Sequence, residues 1–116
     1  KINDEELIVL AAMFNYPVFD TKETCLRILK DYKLDVLVLT CGAHGSYVFT
    51  PDTVSFQNTP QVKVVDTVGA GDSFTGSFCV GLIRGMKIEE AHKMAVEVSA
   101  YVCTQKGAMP ELPDLI

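Results

Sequence analysis

The residues best suited to chemistry are Gly69-Ala70-Gly71-Asp72. They follow the apolar run Val62-Lys63-Val64-Val65 and Asp66, and they precede an apolar stretch with helical spacing. The order predicted is strand, glycine turn, then a helix from about Gly71 to Arg84. The backbone amides of Gly69 to Asp72 then open the helix, where four donors lack intrahelical acceptors and the helix dipole is positive. That is an anion site, and glycines let a phosphate approach the backbone closely. Asp72 would repel a phosphate that merely bound there. A carboxylate in that place makes sense if it accepts a proton from a hydroxyl attacking phosphorus, with the amides stabilising the transferring group. From spacing alone, a glycine turn with Asp72 complementing the dipole is an equally good account.

Two further segments hold candidate residues. Thr40-Cys41-Gly42-Ala43-His44-Gly45 lies at the end of a strand, where open α/β sheets bind ligands. Read alone, it is also an ordinary start to a hairpin, with His44 a solvated turn residue and Cys41 a small packing residue. Asn3-Asp4-Glu5-Glu6 reads by default as a helix N-cap with acidic residues in the first turn.

The elements that must position these segments alternate between helix and strand. Asn3 caps a helix whose core is the run Leu7 to Phe14, read as buried and closed by Tyr16-Pro17. Asp20 and Glu23 resemble a second capping box, opening an amphipathic helix over 20–33. Asp35 to Thr40 has the composition of a buried, parallel strand. Ser46 to Thr50 and Val54 to Phe56 flank Pro51-Asp52 as a hairpin, and Val62 to Val65 reads as a further strand. Gly76, Ser77 and Gly81 are small residues that permit close packing of the following helix, which Gly85 ends. Ala91, Ala95, Val98 and Val102 share one face of a helix over 88–105, and Gly107 with two prolines terminates it. The class predicted is α/β.

Composition narrows the function. With 116 residues the chain is one domain in size, and its net charge of −5 comes with ten scattered basic residues. No basic stripe with interleaved aromatics is present, which argues against a nucleic-acid partner. The longest apolar run is too short for a bilayer, and no stretch reads as a signal peptide. Cys25, Cys41, Cys79 and Cys103 form no CxxC pattern, so a reduced, cytoplasmic setting is expected. The chain begins at Lys1, on a helix-start signal, as a piece of a longer protein would; a trimmed chain would look the same.

Taken together, the segments resemble the ribokinase, or PfkB, family of carbohydrate kinases. Asp66-Thr67-Val68-Gly69-Ala70-Gly71-Asp72-Ser73-Phe74 is similar to the family's C-terminal signature. Thr40-x-Gly42-x-x-Gly45 resembles its strand-end segment near the ATP phosphates, and Asn3-x-x-Glu6 its N-x-x-E motif. The resemblance implies that residues 1–116 are the C-terminal, nucleotide-binding and catalytic part of such a kinase. The implied fold is a portion of a three-layer α/β/α, Rossmann-like architecture, its sheet mostly parallel with a β-hairpin. It implies ATP-dependent transfer of a phosphoryl group to a sugar hydroxyl, with Asp72 as base and Gly69, Ala70 and Gly71 as anion hole. Thr40, Gly42, Gly45 and Gly71 would lie along the nucleotide. Glu6 with Asn3 would hold Mg²⁺ through water, and Asp66 would help bind a monovalent cation such as K⁺. The Gly107 segment, with Ala100 and Cys103, would add carbonyl ligands and part of the adenine pocket. Glu111 stands where some relatives have serine, a departure that weighs against potassium activation. The full-length partners implied are ATP, a sugar and a second copy of the chain in a homodimer.

The signature's wording is most similar to fructokinase-type members, and ribokinase, ketodeoxygluconate kinases and nucleoside kinases share most of it. The resemblance implies that the family's sugar-binding residues and β-sheet lid lie N-terminal to this region, outside residues 1–116. Two other readings stand beside the leading one. One is a nucleotide-binding regulatory relative without catalysis, against which the intact Asp72 counts. The other is a redox dinucleotide domain, disfavoured because Phe74 breaks a GxGxxG match.

Overall fold

A computed structural model describes residues 1–16 and 20–105. The chain divides into two compact units, Lys1–Asn58 and Thr59–Ile116. Pro17, Gly107, Glu111 and the C-terminal prolines lie outside the described residues.

The first unit is a four-stranded sheet carrying two helices. Strand β1 (Ile2–Asn3) runs directly into helix α1 (Asp4–Met13), and helix α2 (Thr21–Asp31) leads to strand β2 (Leu37–Thr40). A single 3₁₀ turn (Gly42–His44) joins β2 to β3 (Ser46–Phe49), and β4 (Val54–Gln57) completes the order β1-β2-β3-β4. Strands β1 and β2 are parallel, with Asn3 opposite Thr40. The pairings β2–β3 and β3–β4 are antiparallel. The predicted hairpin is present, and within this sheet one pairing of three is parallel. The cause is local, since short turns such as Thr50–Thr53 can only return the chain antiparallel. That turn is closed by Thr50 N donating to Thr53 O at 2.9 Å.

Leu7, Cys25, Ile28, Leu29, Leu37, Leu39 and Phe49 form the core of this unit. Of the stripe Cys25, Leu26, Leu29 and Tyr32 expected from helical spacing, Cys25 and Leu29 are buried, whereas Leu26 and Tyr32 are exposed and Ile28 takes a place in the core instead. The N-cap of α2 is as predicted at Asp20, whose carboxylate accepts from Lys22 N at 2.8 Å and Glu23 N at 3.4 Å. Helix α1 departs from expectation. Only Leu7 and Ala11 are buried, while Ile8, Val9 and Met13 are exposed. An unbroken apolar run on a 3.6-residue period covers every side of a helix, and packing in this unit uses one.

The second unit pairs two helices, α3 (Ala70–Ile83) and α4 (Ile88–Cys103). They approach closely at Gly81, where a Cβ would lie 2.9 Å from Ala91 Cβ. Gly76 was expected to serve the same purpose and does not, since nothing lies within 4 Å of its missing Cβ. Ala91, Ala95, Val98 and Val102 are buried as predicted. Gly85, at φ 79, ends α3 with Met86 N donating to Gly81 O at 3.0 Å. Val62–Val65 forms no strand among the described residues, and Val62, Val64 and Val65 are exposed. A strand exists only by pairing, and here the amide of Val65 instead donates to Cys103 O at 2.7 Å. No helix among the described residues is long and apolar enough to cross a membrane.

Candidate active site

The candidate residues fall into both units. In the first, sheet register brings two of the sequence segments together. Asn3 and Thr40 are paired neighbours at the carboxyl ends of parallel strands, so Asn3-x-x-Glu6 begins beside Thr40–Gly45. Asn3 serves two purposes, ending β1 and capping α1. Its Oδ1 accepts from Glu6 N at 2.8 Å, and Glu6 Oε1 accepts from Asn3 N at 2.8 Å. This is the capping box the N-x-x-E spacing allows. It fixes the Glu6 carboxylate through one oxygen only. Both residues are exposed.

Residues 41–45 form a closed loop at the end of the β2–β3 ladder. Cys41 N donates to Gly45 O at 2.8 Å, and His44 N donates to Cys41 O at 3.0 Å. Gly42 (φ 56) and Gly45 (φ 102) both take positive φ. At Gly45 a Cβ would meet Gln57 O at 2.6 Å and the Phe56 ring at 2.7 Å. The glycine therefore serves first to let β4 approach, with Phe56 packed across it from the neighbouring strand. Phe56 was not singled out from the sequence. Its only sequence signal was an aromatic residue in the strand expected to pair with the glycine-bearing loop. His44 is an exposed turn residue, as expected. Cys41 packs against the core, and burial raises its thiol pKa, with Asp4 adding to the effect.

In the second unit, Asp66 through Asp72 form a turn that opens α3. Asp66 Oδ1 accepts from Val68 N at 2.9 Å, an Asx turn. Gly69 stands at the N-cap with φ 82, a left-handed conformation that suits glycine. No side chain caps the helix. Ala70 N donates to Thr67 O at 3.2 Å, and Ser73 N is the first amide to bond back to Gly69 O, at 2.9 Å. Between them, Gly71 N and Asp72 N have no acceptor among the described residues. Both residues are exposed, so two amide donors and a carboxylate share the first turn.

Helix α4 holds this turn at two points. Cys103 O accepts from Val65 N at 2.7 Å and from Asp66 N at 3.2 Å. Ser99 Oγ donates to Ala70 O at 3.1 Å. Sequence reasoning missed both contacts, because they join segments 29 to 38 residues apart. Among the described residues, no group of three or more His, Cys, Asp or Glu gathers as a metal cluster.

Residues 1–115 match the pfkB family carbohydrate kinase pattern. The chain is 36% identical over 96 residues to an ATP-dependent 6-phosphofructokinase of Thermoanaerobacterium thermosaccharolyticum, covering 83% of this chain and 30% of that one. It is 34% identical over 120 residues to probable fructokinase-5 of Arabidopsis thaliana, covering 97% and 36%. Its fold matches Arabidopsis thaliana ribokinase complexed with ribose and ATP, with a TM-score of 0.77 and 30% identity over 99% of this chain and 38% of that one. The chain thus spans about a third of the length of these relatives. The resemblance carried by the three motifs extends to the whole chain and to its ribokinase-like fold, and this chain belongs to the pfkB family of carbohydrate kinases.

Proposed function

We propose that this chain is the C-terminal, nucleotide-binding and catalytic portion of an ATP-dependent sugar kinase, with Asp72 as the base. The observation that carries the reading is the first turn of α3: two amides without acceptors, Gly71 and Asp72, beside an exposed carboxylate. Charge developing on a transferring phosphoryl group is stabilised by such donors, and the hydroxyl attacking it must lose a proton. The Asp72 carboxylate accepts that proton. Gly69 shapes the turn, and Ala70 and Gly71 complete the anion hole.

Thr40, Gly42 and Gly45 lie along the nucleotide in this reading. Support comes from the pairing of Thr40, where that loop begins, with Asn3, whose amide donates to the Glu6 carboxylate. Glu6 keeps one carboxylate oxygen clear of the capping box, and Mg²⁺ retains most of its waters, so a single carboxylate with phosphate oxygens suits it. Asp66 is the residue for a monovalent cation. The acceptor is a sugar hydroxyl, as the names of a phosphofructokinase, a fructokinase and a ribokinase among the relatives suggest.

The test is made on the complete protein that carries this segment. With Mg-ATP and a panel of sugars and nucleosides, ADP should form with at least one acceptor. Asp72→Asn should bind ATP as before and lose about 10²- to 10⁴-fold in turnover. Near-normal turnover in that variant would remove Asp72 from its role. Absence of ADP with every acceptor would favour a non-catalytic nucleotide-binding relative.

A further inference from the structure

Three consecutive carbonyls in the opening turn of α3 each accept a hydroxyl. Ser73 Oγ donates to Gly69 O at 2.7 Å, Ser99 Oγ to Ala70 O at 3.1 Å and Thr75 Oγ1 to Gly71 O at 3.0 Å. A carbonyl and the following N–H belong to one planar, conjugated unit. A hydroxyl donated to the oxygen draws electron density toward it and makes the N–H at the other end a stronger donor. The three hydroxyls therefore act on the amides of Ala70, Gly71 and Asp72. The Ala70 amide already donates to Thr67 O. The two that remain are acted on by Ser99 and Thr75.

Ser73 and Thr75 bond four residues back along their own helix, as hydroxyls in helices commonly do. Ser99 is different. It sits on α4, 29 residues downstream, and crosses from one helix to the other. Cys103, four residues further on and so on the same face of α4, takes the amides of Val65 and Asp66. Positions 99 and 103 thus hold the 65–70 segment from both ends.

We propose that Ser99 is a positioning residue for phosphoryl transfer. Its hydroxyl fixes the peptide unit between Ala70 and Gly71 and strengthens Gly71 N–H as a donor to the transferring group. This deepens the kinase reading and rests on it. Losing a whole donor of this kind lowers turnover about 10²- to 10³-fold. Cooperative strengthening amounts to about 10–30% of a bond, which on a logarithmic scale gives about two- to eight-fold. The effect falls on kcat and leaves the KM for ATP nearly unchanged, because the charge being stabilised develops in the transition state.

The experiment uses the complete ¹⁵N-labelled protein as wild type, Ser99→Ala, Ser99→Thr and Thr75→Val. In Ser99→Ala the Gly71 amide proton should move upfield and kcat should fall by the factor above. Ser99→Thr, which keeps the hydroxyl, should restore both. Thr75→Val should move the Asp72 amide and leave Gly71 in place, a pattern that general loosening of the fold does not produce. If Ser99→Ala does not fold, the near-isosteric Ser99→Cys, a weak donor, replaces it with the same expectations. An unmoved Gly71 amide, a wild-type kcat in Ser99→Ala, or a threonine variant as slow as the alanine one overturns the proposal alone. A wild-type protein that phosphorylates no acceptor overturns the kinase reading, and this proposal with it.

Discussion

Residue 45 shows how narrowly a single backbone position can be set. At φ 102 and ψ −165, Gly45 occupies a region that is essentially glycine's alone. A Cβ there would meet the flexible ring of Phe56, but also Gln57 O, which belongs to β4 and has no room to turn aside. Gly45→Ala is expected to cost about 3 kcal/mol, combining backbone strain with a displaced strand. Gly42, at φ 56, faces open space. Asparagine tolerates that conformation, so Gly42→Asn should cost no more than about 1 kcal/mol. Urea midpoints of the two variants decide the matter; equal losses would mean that the approach of β4 is not what Gly45 provides. Thiols in the same unit differ as sharply from one elsewhere. Cys25 is fully buried, and burial, with Cys41 adding to it, pushes its thiol up to about 12. Cys79 is exposed. A disulfide-exchange reagent at neutral pH should label Cys79 in the native chain and reach Cys25 only on unfolding. Early labelling of Cys25 would contradict the buried core around α2.

Helix packing separates glycines that look alike in the sequence. A Cβ at Gly81 would meet Ala91 Cβ, Met86 Sδ and Met94 Cε at 2.9–3.2 Å, while one at Gly76 would meet nothing within 4 Å. Alanine improves helix propensity by about 1 kcal/mol at either position. At Gly76 that gain should appear whole, raising the melting temperature. At Gly81 it is opposed by overpacking of about 1–3 kcal/mol, because the methyl of Ala91 is fixed to the α4 backbone. Gly81→Ala should therefore melt lower than Gly76→Ala by several degrees, and the reverse order would place the helix contact elsewhere. The same contrast explains what could be read from the sequence. Asn3, Asp20 and the stripe 91, 95, 98, 102 were legible because caps and helical faces depend on residues three and four apart. The glycine turn at 69–71 was legible for the same local reason. Val62–Val65 was misread and β1 missed, because a strand depends on a partner that composition does not name. Gly76 and Gly81 could not be told apart without the neighbouring helix, and the bond from Ser99 to Ala70 spans too much chain to leave a local pattern. In the candidate site, the residues that touch phosphate in the proposed reading were legible, whereas those that hold them in place were not.

For the molecule as a whole, the most direct consequence of burial is a dependence of stability on pH. His92 lies in α4 with no exposed surface, its ring edge-on to Phe74 at 6.1 Å between centroids. Burial lowers its pKa from 6.5 to about 4, because an imidazolium there would lose its hydration. In the unfolded chain the ring is solvated and titrates near its ordinary value. Between those values the unfolded chain binds a proton that the folded chain does not, so stability falls as pH is lowered through the interval. Above about 6.5 both states hold a neutral ring, and this group adds no slope. The gap corresponds to about 3 kcal/mol as an upper figure, lost progressively between pH 6.5 and 4. Carboxylates add their own titration near the lower end of that range, so the group must be isolated by substitution. His92→Gln keeps a polar side chain of similar length and cannot be protonated there. Its unfolding free energy, measured by urea at half-unit steps, should be lower than wild type at pH 7.5 and should decline less between pH 6.5 and 5. If the two curves run parallel across that interval, His92 is not the group that makes the fold sensitive to mild acid.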